Sequence, residues 1–187
     1  MKATPPRAMS SASLQLRAVE GSGDAEAARE LIGEYLRWIA RLAEESYGLW
    51  FDLEAMVRSD LEDRSKFYPP NGRFYLVCYE GADVGVGCLK RLAPGVAEIQ
   101  RMYLRPQARG IGAGRRLLRQ LLDDAKTIGY RSIRLESLRA LSAAHALYRS
   151  AGFVEIPPYA ANSMEAYQPA GTLDRYRASA LFMELRL

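Results

Sequence analysis

Apolar residues recur along this chain at two spacings, which predict strands and helices in alternation. Leu14 to Val19 alternates apolar and polar positions, as a half-buried first strand does. From Ala28 to Leu42 apolar residues return every three or four positions, which predicts an amphipathic helix with Asp24 as its N-cap and Gly48 at its end. Asp52 is placed to cap a second helix.

The middle of the chain is rich in predicted strands. Turn-forming residues separate three apolar runs, and the short connections between them predict an antiparallel meander. The runs are Phe74 to Tyr79, Val84 to Leu92 and Val96 to Arg105. Pro106 ends the third run, because a proline cannot donate a hydrogen bond to a neighbouring strand.

The second half of the chain alternates helices with strands. A Leu-rich helix precedes an alternating strand, which predicts a crossover connection and parallel pairing. The predicted elements are helices over Arg115 to Ile128 and Ala143 to Ser150, the latter capped by Ser142, and strands over Arg131 to Ser137, Phe153 to Ile156 and Ala180 to Leu187. Tyr159 to Arg177 has little periodicity and is predicted to be a long loop, of the kind that often serves as a lid or binding loop.

Composition narrows the class of protein. The 187 residues suit one domain, and 49% apolar with 26% charged residues is typical of a soluble globular protein. No apolar run approaches the roughly 20 residues of a membrane span, and no Lys/Arg block with interleaved aromatics indicates nucleic-acid binding. A single histidine and two separated cysteines, Cys78 and Cys88, give no metal site. We therefore expect a cytoplasmic protein with reduced thiols and a flexible tail over residues 1–13.

The candidate chemistry centres on Gln107-Ala108-Arg109-Gly110-Ile111-Gly112-Ala113-Gly114, which joins the third apolar run to the Leu-rich helix. Glycines at alternate positions let the backbone approach a ligand closely. The first free N–H groups of the following helix attract phosphate. The stretch therefore predicts a pyrophosphate cradle, and a helix start without a ligand is the alternative.

Two better-known phosphate motifs do not match. The Lys-Ser/Thr pair of the P-loop is missing. The third glycine of the dinucleotide fingerprint falls on Arg115, and the motif follows a meander instead of a first strand. A dinucleotide-binding protein is thus a weaker hypothesis.

The stretch Gln-x-Arg-Gly-x-Gly-x-Gly resembles the pyrophosphate-binding motif of the GNAT superfamily of acyl-CoA N-acyltransferases, whose pattern is Gln/Arg-x-x-Gly-x-Gly/Ala. Leu147-Tyr148-Arg149-Ser150-Ala151-Gly152-Phe153 resembles a second motif of the superfamily, Leu-Tyr-x-x-x-Gly-Phe, and stands in the same order. The resemblance covers residues 14–187 and is most specific over residues 96–158.

The resemblance implies an α/β (α+β) GNAT fold in a single domain over residues 14–187. Its central sheet is expected to be mixed but mostly antiparallel, with six to seven strands flanked by about four helices. The implied function is transfer of acetyl from acetyl-CoA, the cosubstrate, to a primary amine by direct attack in a ternary complex. A non-catalytic acyl-CoA-binding or sensing module is the alternative.

Several properties stay open at this stage. The acceptor is a small amine, an amino acid derivative, an antibiotic or a protein amine, and the acyl-chain preference is unspecified. A homodimer that pairs through the last strand is one arrangement.

By resemblance, three parts of the chain hold the cofactor: the end of the third meander strand, the glycine motif and the short helix. The expected residues are Met102, Tyr103, Leu104, Gln107, Arg109, Gly110, Ile111, Gly112, Ala113, Gly114, Arg115, Ser142 and Tyr148. Many family members have Asn where Leu141 and Ser142 stand here, so Ser142 is expected to substitute for it. The third meander strand is expected to splay from its parallel neighbour and to open a slot for the thioester.

Tyr148 and Glu98 are the expected catalytic residues. A phenol has a pKa of about 10, near that of a thiol leaving group, and the matching tyrosine of the family points at the CoA sulfur. Tyr148 is therefore expected to protonate the leaving thiolate, with a purely packed tyrosine as the alternative.

Glu98 is the lone acid of an apolar strand, and burial raises the pKa of a carboxyl toward that of a useful base. The alternative is a carboxylate paired with Arg101 or Arg91. Glu136 is a weaker candidate for the base.

Other side chains have open roles. His145 shares a helix face with Tyr148, which fits a proton relay or a surface or capping histidine. Arg116 is expected near the phosphates or in solvent. The aromatics around the second helix are expected to touch substrate or to fill the core: Tyr47, Trp50, Phe51, Phe67 and Tyr68.

Overall fold

A seven-stranded sheet forms the middle layer of the protein, in the order β1-β2-β3-β4-β5-β7-β6. The structure is a computed structural model, and it describes residues 14–62, 64–159, 167 and 171–187. The strands are β1 (Leu14–Ala18), β2 (Arg73–Tyr79), β3 (Ala82–Ala93), β4 (Val96–Leu104), β5 (Ser132–Leu138), β6 (Val154–Ile156) and β7 (Ala180–Arg186). The helices are α1 (Ser22–Tyr47), α2 (Leu53–Glu62), α3 (Arg64–Phe67), α4 (Ala113–Ile128), α5 (Ser142–Ser150) and α6 (Leu173–Ser179), with a 3-10 turn over Pro106–Ala108.

Strand pairing confirms the predicted fold class. β4 and β5 are parallel, and the other neighbouring strands pair antiparallel. The sheet is therefore mixed and mostly antiparallel, as the GNAT resemblance implied. The predicted meander is β2, β3 and β4, and α4 is the crossover helix that makes β5 parallel to β4.

The two faces of the sheet bury different helices. On one face the apolar stripe of α1, including Leu31 and Leu36, packs in one core with Phe74 and Leu76 of β2. On the other face the stripe of α4 packs in a second core. Leu117, Leu118 and Leu121 of α4 are fully buried there with Ile133 and Met183. Burial of about 1.5–3 kcal/mol per large apolar side chain makes these stripes the main source of helix stability.

The helix ends follow the predictions in part. Gly48 ends α1 with a left-handed φ of 62°, and the Asp52 carboxylate accepts the Ala55 N–H at 3.0 Å at the start of α2, as predicted. The prediction of Asp24 as N-cap of α1 is wrong, because Gly21 caps the helix. Asp24 lies in the first turn, and its carboxylate accepts the Gly21 N–H at 3.5 Å.

Two other predictions along the second half need correction. Ser142 is the first residue of α5 and not its cap, since Leu141 is the N-cap and no side chain bonds the helix end. The predicted loop over Tyr159 to Arg177 contains the start of α6, a helix too short to show a clear period, which buries Tyr176 and Ser179. Residues 160–166 and 168–170 of that loop, and the predicted tail 1–13, lie outside the described residues.

The last strand is interior. β7 lies between β5 and β6 and is not the edge strand, although β6 pairs with it only from Phe182 to Glu184. A homodimer that pairs through the last strand stays a prediction. Within the described part of the chain, no helix is long and apolar enough to cross a membrane.

The parallel strands β4 and β5 pair over only three residues and then separate. Their partners are Val96 with Ser132, Ala97 with Ile133 and Glu98 with Arg134. Past that point β4 is irregular: Arg101 has a φ of 53°, and the register with β3 shifts between Val86 and Cys88. The bulge turns β4 away from β5, so the predicted splay is confirmed.

Candidate active site

A cavity of about 670 Å³ opens where β4 and β5 separate. Its walls come from the end of β4, the glycine loop, the starts of α4 and α5, and Tyr35 and Trp38 of α1. The predicted cofactor residues that line it are Met102, Tyr103, Leu104, Arg109, Gly110, Gly112, Gly114, Arg115, Ser142 and Tyr148. Gln107 is exposed on the 3-10 turn and Ile111 is 40% exposed, while Ala113 is buried, and these three do not line the cavity.

The glycine loop has the backbone of an anion site. Gly110 and Gly112 have φ values of 80° and 86°, which favour glycine over any residue with a Cβ. Gly112 is the N-cap of α4, and the first turn of α4 has no acidic residue. The free N–H groups and the positive helix end therefore face a region without nearby carboxylates from that turn.

The arginines near the loop divide into two groups. Arg109 and Arg115 line the cavity, and the Arg109 guanidinium stacks 5.4 Å from the centre of the Trp38 ring while its Nε donates to the Leu104 carbonyl at 3.1 Å. Arg116 points elsewhere and donates to the Leu14 carbonyl at 2.6 Å. Two of the three predicted phosphate arginines are thus at the cavity.

Tyr148 lies on the inner wall of the cavity. It is buried, and its ring packs against Phe153 with 5.9 Å between centroids. Burial, with a smaller contribution from Tyr35, raises the pKa of the Tyr148 phenol well above its usual value. The hydroxyl therefore stays protonated at neutral pH.

His145 is buried behind the cavity. Its Nε2 lies 3.2 Å from Oγ of Ser137, and loss of water lowers its pKa. The expectation of a surface or capping histidine is wrong, because α5 turns this residue toward β5. Ser137, which the sequence did not single out, lines the cavity.

Glu98 is fully buried with both carboxylate oxygens engaged. The Gln100 side chain donates to Oε2 at 2.7 Å, and the Tyr159 hydroxyl donates to Oε1 at 2.8 Å. Lys90 forms its ion pair at 3.4 Å, where the sequence had offered Arg101 or Arg91. Glu98 does not line the cavity.

Glu136 of β5 does line the cavity, as Tyr148 does. Within the described residues, neither of its carboxylate oxygens has a hydrogen bond of ordinary geometry. Burial raises its pKa to about 8, the charge of Glu98 adds to the rise, and the Tyr176 hydroxyl, Arg101 and Lys90 offset it in part. A carboxyl with this pKa exchanges protons near neutral pH, as a general base must.

A row of alternating charges crosses the sheet beside Glu136. Lys90, Glu98, Arg134 and Glu184 are register partners on the adjacent strands β3, β4, β5 and β7. Arg134 donates to Glu184 at 2.7 Å, and its guanidinium lies 5.0 Å from the centre of the Tyr159 ring. We call these four residues the charge ladder.

A smaller cavity of about 60 Å³ adjoins the first one and shares Tyr35, Arg101, Glu136 and Ser137 with it. The rest of its wall is Leu36, Ile39, Phe51, Met56, Gln100, Leu138 and Tyr176. Of the aromatics named from the sequence, Phe51 lines this cavity.

The other aromatic residues named from the sequence lie away from the smaller cavity. Trp50 is 70% exposed on an outer groove. Phe67 and Tyr68 pack against Phe74, and Tyr47 packs against the same core.

Arg101 is held in place by a buried acid that the sequence did not reveal. Its Nε lies 2.5 Å from Oδ2 of Asp60 on α2, and Lys66 binds the same carboxylate. Asp60 is completely buried. In sequence Asp60 looks like an ordinary surface position of an amphipathic helix, so no local signal could have found the pair.

A mixed sheet whose parallel strands splay beside a glycine-rich helix start defines the fold class of the N-acyltransferases. The family model for the acetyltransferase (GNAT) family matches residues 32–153. The chain therefore belongs to the acetyltransferase (GNAT) family.

Individual relatives agree with this assignment. The chain is 27% identical over 154 residues to an uncharacterised N-acetyltransferase of Schizosaccharomyces pombe, which covers 81% of this chain and 89% of that protein. It is 32% identical over 122 residues to the IAA acetyltransferase of Azospirillum brasilense, covering 65% and 80%. Among solved structures, PaiA N-acetyltransferase from Thermoplasma acidophilum in complex with coenzyme A has the same fold, with a TM-score of 0.64, 20% identity and coverage of 94% and 99%.

Proposed function

We propose that this protein transfers the acetyl group of acetyl-CoA to a primary amine by direct attack in a ternary complex. The observation that carries the proposal is that one cavity is lined by the glycine loop, Tyr148 and Glu136. Phosphate recognition, an acid and a base are the three functions that this transfer needs. The coenzyme A complex of the Thermoplasma relative supports the choice of acyl donor.

The residues lining the cavity fit coenzyme A. The start of α4 with Arg109 and Arg115 suits the pyrophosphate. Beyond Glu98 the edge of β4 that faces β5 has no strand partner, so its amides are available to the pantetheine chain. The side chains of Met102, Leu104 and Leu147 lie against Gly114, where an added Cβ would come within 3.3 Å of Leu147.

Glu136 is the base in this proposal, in preference to Glu98. The acceptor arrives as an ammonium and must lose a proton before its nitrogen lone pair can attack. Glu136 reaches the cavity with the Tyr176 hydroxyl as its neighbouring donor and no hydrogen bond of ordinary geometry, whereas Glu98 is outside the cavity with both oxygens bonded. The carboxylate of Glu136 takes the proton directly or through one water.

The neutral nitrogen then attacks the thioester carbonyl carbon. The backbone N–H of Tyr103 or Leu104 is proposed to stabilise the oxyanion. As the carbon–sulfur bond breaks, Tyr148 gives its proton to the departing thiolate and recovers one from solvent or from the acetylated amine. Neither cysteine lines the cavity, and burial raises the pKa of both thiols, to about 11 for Cys78, which argues against an acyl-cysteine intermediate.

A substitution at Tyr148 tests the proposal. In Tyr148→Phe the ring packing remains but the acid is lost, so turnover should fall by about 10²–10³ while the Kd for acetyl-CoA stays within about threefold. CoA thiol release and calorimetric titration measure the two quantities. Unchanged turnover would remove Tyr148 from the mechanism, and the absence of any turnover in the natural protein would favour the sensing module.

Ligand binding is tested separately by thermal stability. A ligand that binds only the folded state must raise the unfolding midpoint. We expect a rise with acetyl-CoA and none with NADH or ATP. A rise with NADH alone would return the dinucleotide hypothesis.

A further inference from the structure

The smaller cavity beside Glu136 carries information about the acceptor, and this inference rests on the proposed function. It meets the cofactor cavity at Tyr35, Arg101, Glu136 and Ser137. An amine that attacks a thioester in the larger cavity, with its proton passing to Glu136, must place the carbon next to its nitrogen at this junction. The walls of the smaller cavity therefore contact the part of the acceptor nearest to the nitrogen.

The cavity is small and mostly apolar. Its volume of about 60 Å³ admits roughly four to six water-sized groups, at about 10–15 Å³ each. Aliphatic and aromatic side chains form most of the wall: Leu36, Ile39, Phe51, Met56, Leu138, Tyr35 and Tyr176. Short hydrocarbon groups gain free energy on entering such a site.

The charges of the cavity oppose a carboxylate beside the amine. Among its described lining residues, the charged side chains are Arg101 and Glu136. Arg101 is bound to the fully buried Asp60, with Nε to Oδ2 at 2.5 Å and a second contact of 3.4 Å. A substrate carboxylate would have to compete with the buried Asp60 for Arg101, and Asp60 would then keep Lys66 as its ion-pair partner but lose the contacts of Arg101, which is costly.

Glu136, the second charged group of the cavity, also disfavours a substrate carboxylate. Glu136 must be a carboxylate to accept the proton, and a substrate carboxylate beside it would be repelled. Elsewhere the described wall is mostly apolar and contains no further cation, so a substrate carboxylate placed there would bury a charge without an ion-pair partner. Neither charged group of the cavity therefore provides a favourable position for an acid next to the amine.

We propose that the acceptor is a primary amine borne on a short, uncharged, apolar segment, as in alkylamines and aralkylamines, and that free α-amino acids are excluded. The smaller cavity holds that segment. The ion pair between Arg101 and Asp60 keeps a substrate carboxylate from binding there.

Matched acceptors test the exclusion of the carboxylate. Isoamylamine, leucinamide and leucine share one side chain and differ at the carbon that bears the nitrogen. We expect kcat/KM for isoamylamine to exceed that for leucine by roughly tenfold or more, because a buried carboxylate lacks a partner. The amine of isoamylamine is the more basic of the two, so a larger neutral fraction cannot explain this order.

A cavity variant tests the fit of the apolar segment. Met56→Ala enlarges the smaller cavity and should shift the preferred n-alkylamine to a longer chain, by one to three methylenes. Met183→Ala is the matched control, since Met183 is equally buried but lies in the core on the other face of the sheet. Thermal unfolding of both variants checks that they fold.

Three outcomes overturn the inference. Leucine turned over as well as isoamylamine would refute it while leaving the acetyltransferase function intact. An unchanged chain-length optimum in a folded Met56→Ala protein would show that the segment lies elsewhere. Binding of acetyl-CoA without turnover of any neutral amine would also count against it, whereas absence of acetyl-CoA binding would refute the proposed function itself.

Discussion

Replacing Glu136 by glutamine should stabilise the protein above neutral pH while it removes activity. The pKa of Glu136 rises from 4.5, the ordinary value for glutamate, to about 8 in the folded chain. A raised carboxyl pKa means that the folded state holds the proton more tightly than the unfolded state. Stability from this group is therefore fully present below pH 4.5 and is lost as the pH rises through 8.

The size of this stabilisation follows from the rise in the pKa of Glu136. At about 1.4 kcal/mol for each pKa unit, the rise corresponds to about 5 kcal/mol of lost stability above pH 8. Relaxation and water entry reduce such costs, so we expect Glu136→Gln to be more stable than the natural protein by about 2–5 kcal/mol at pH 9. Because glutamine resembles the protonated acid, the two proteins should be nearly equal at pH 4.5.

Urea unfolding between pH 4.5 and 9 measures the difference, with unchanged m-values as the check on two-state behaviour. Glu155→Gln is the control, since Glu155 is half exposed and forms a surface ion pair with Arg139. Turnover of Glu136→Gln should fall by about 10²–10⁴ at every pH, as for loss of a general base. A stability difference independent of pH, or a variant less stable at pH 9, would refute the assignment of a raised pKa to Glu136.

Three further predictions concern the surroundings of Glu136 and the glycine loop. Glu98→Gln removes a charge that raises the pKa of Glu136, so the acid limb of the kcat/KM profile should move to lower pH; an unmoved limb would refute the coupling. Gly112→Ala and Gly81→Ala both place alanine at a φ above 80° with open space for the Cβ. Each should lower the free energy of unfolding by about 1–2 kcal/mol, measured by thermal unfolding. Of the two, Gly112→Ala alone should weaken acetyl-CoA binding in calorimetry. Gly85→Ala should cost about 1–3 kcal/mol or more, because its Cβ would lie 2.6 Å from the Tyr103 carbonyl oxygen; urea unfolding no different from the natural protein would contradict this packing.

The sequence predicted best those features that local pattern determines. The glycine loop needs positive φ at Gly110 and Gly112, and the strand before it and the Leu-rich helix after it are visible in periodicity alone. The β2-β3-β4 meander and the parallel pairing of β5 with β4 followed from short connections and the crossover rule, whereas the place of β7 between β5 and β6 did not. The start of α1 was misplaced because Gly21, Ser22 and Gly23 read as a turn, whereas the helix begins at Ser22.

The sequence could not rank the two acids of the site. Glu98 and Glu136 both stand in strands with apolar neighbours, and Glu98 looked the more isolated. What separates them are partners from distant segments: Tyr159 is 61 residues from Glu98 in the chain, and Lys90 comes from the neighbouring strand. Asp60 and Arg101 are 41 residues apart, so their pairing was equally invisible.

Glu98, the acid of the strand that leads into the glycine loop, is fully buried as a member of the charge ladder. Glu98 accepts two hydrogen bonds, forms an ion pair with Lys90 and is the register partner of Arg134. Glu136 stands two residues beyond Arg134 on the same face of β5, and among the described residues no hydrogen bond of ordinary geometry reaches its carboxylate. Two carboxyls on adjacent strands thus have opposite environments, and the charge of the first makes the second harder to ionise. Without the charge of Glu98 the pKa of Glu136 would be lower and Glu136 would be a weaker base, so the acid of the ladder helps to set how well Glu136 can take a proton from an amine.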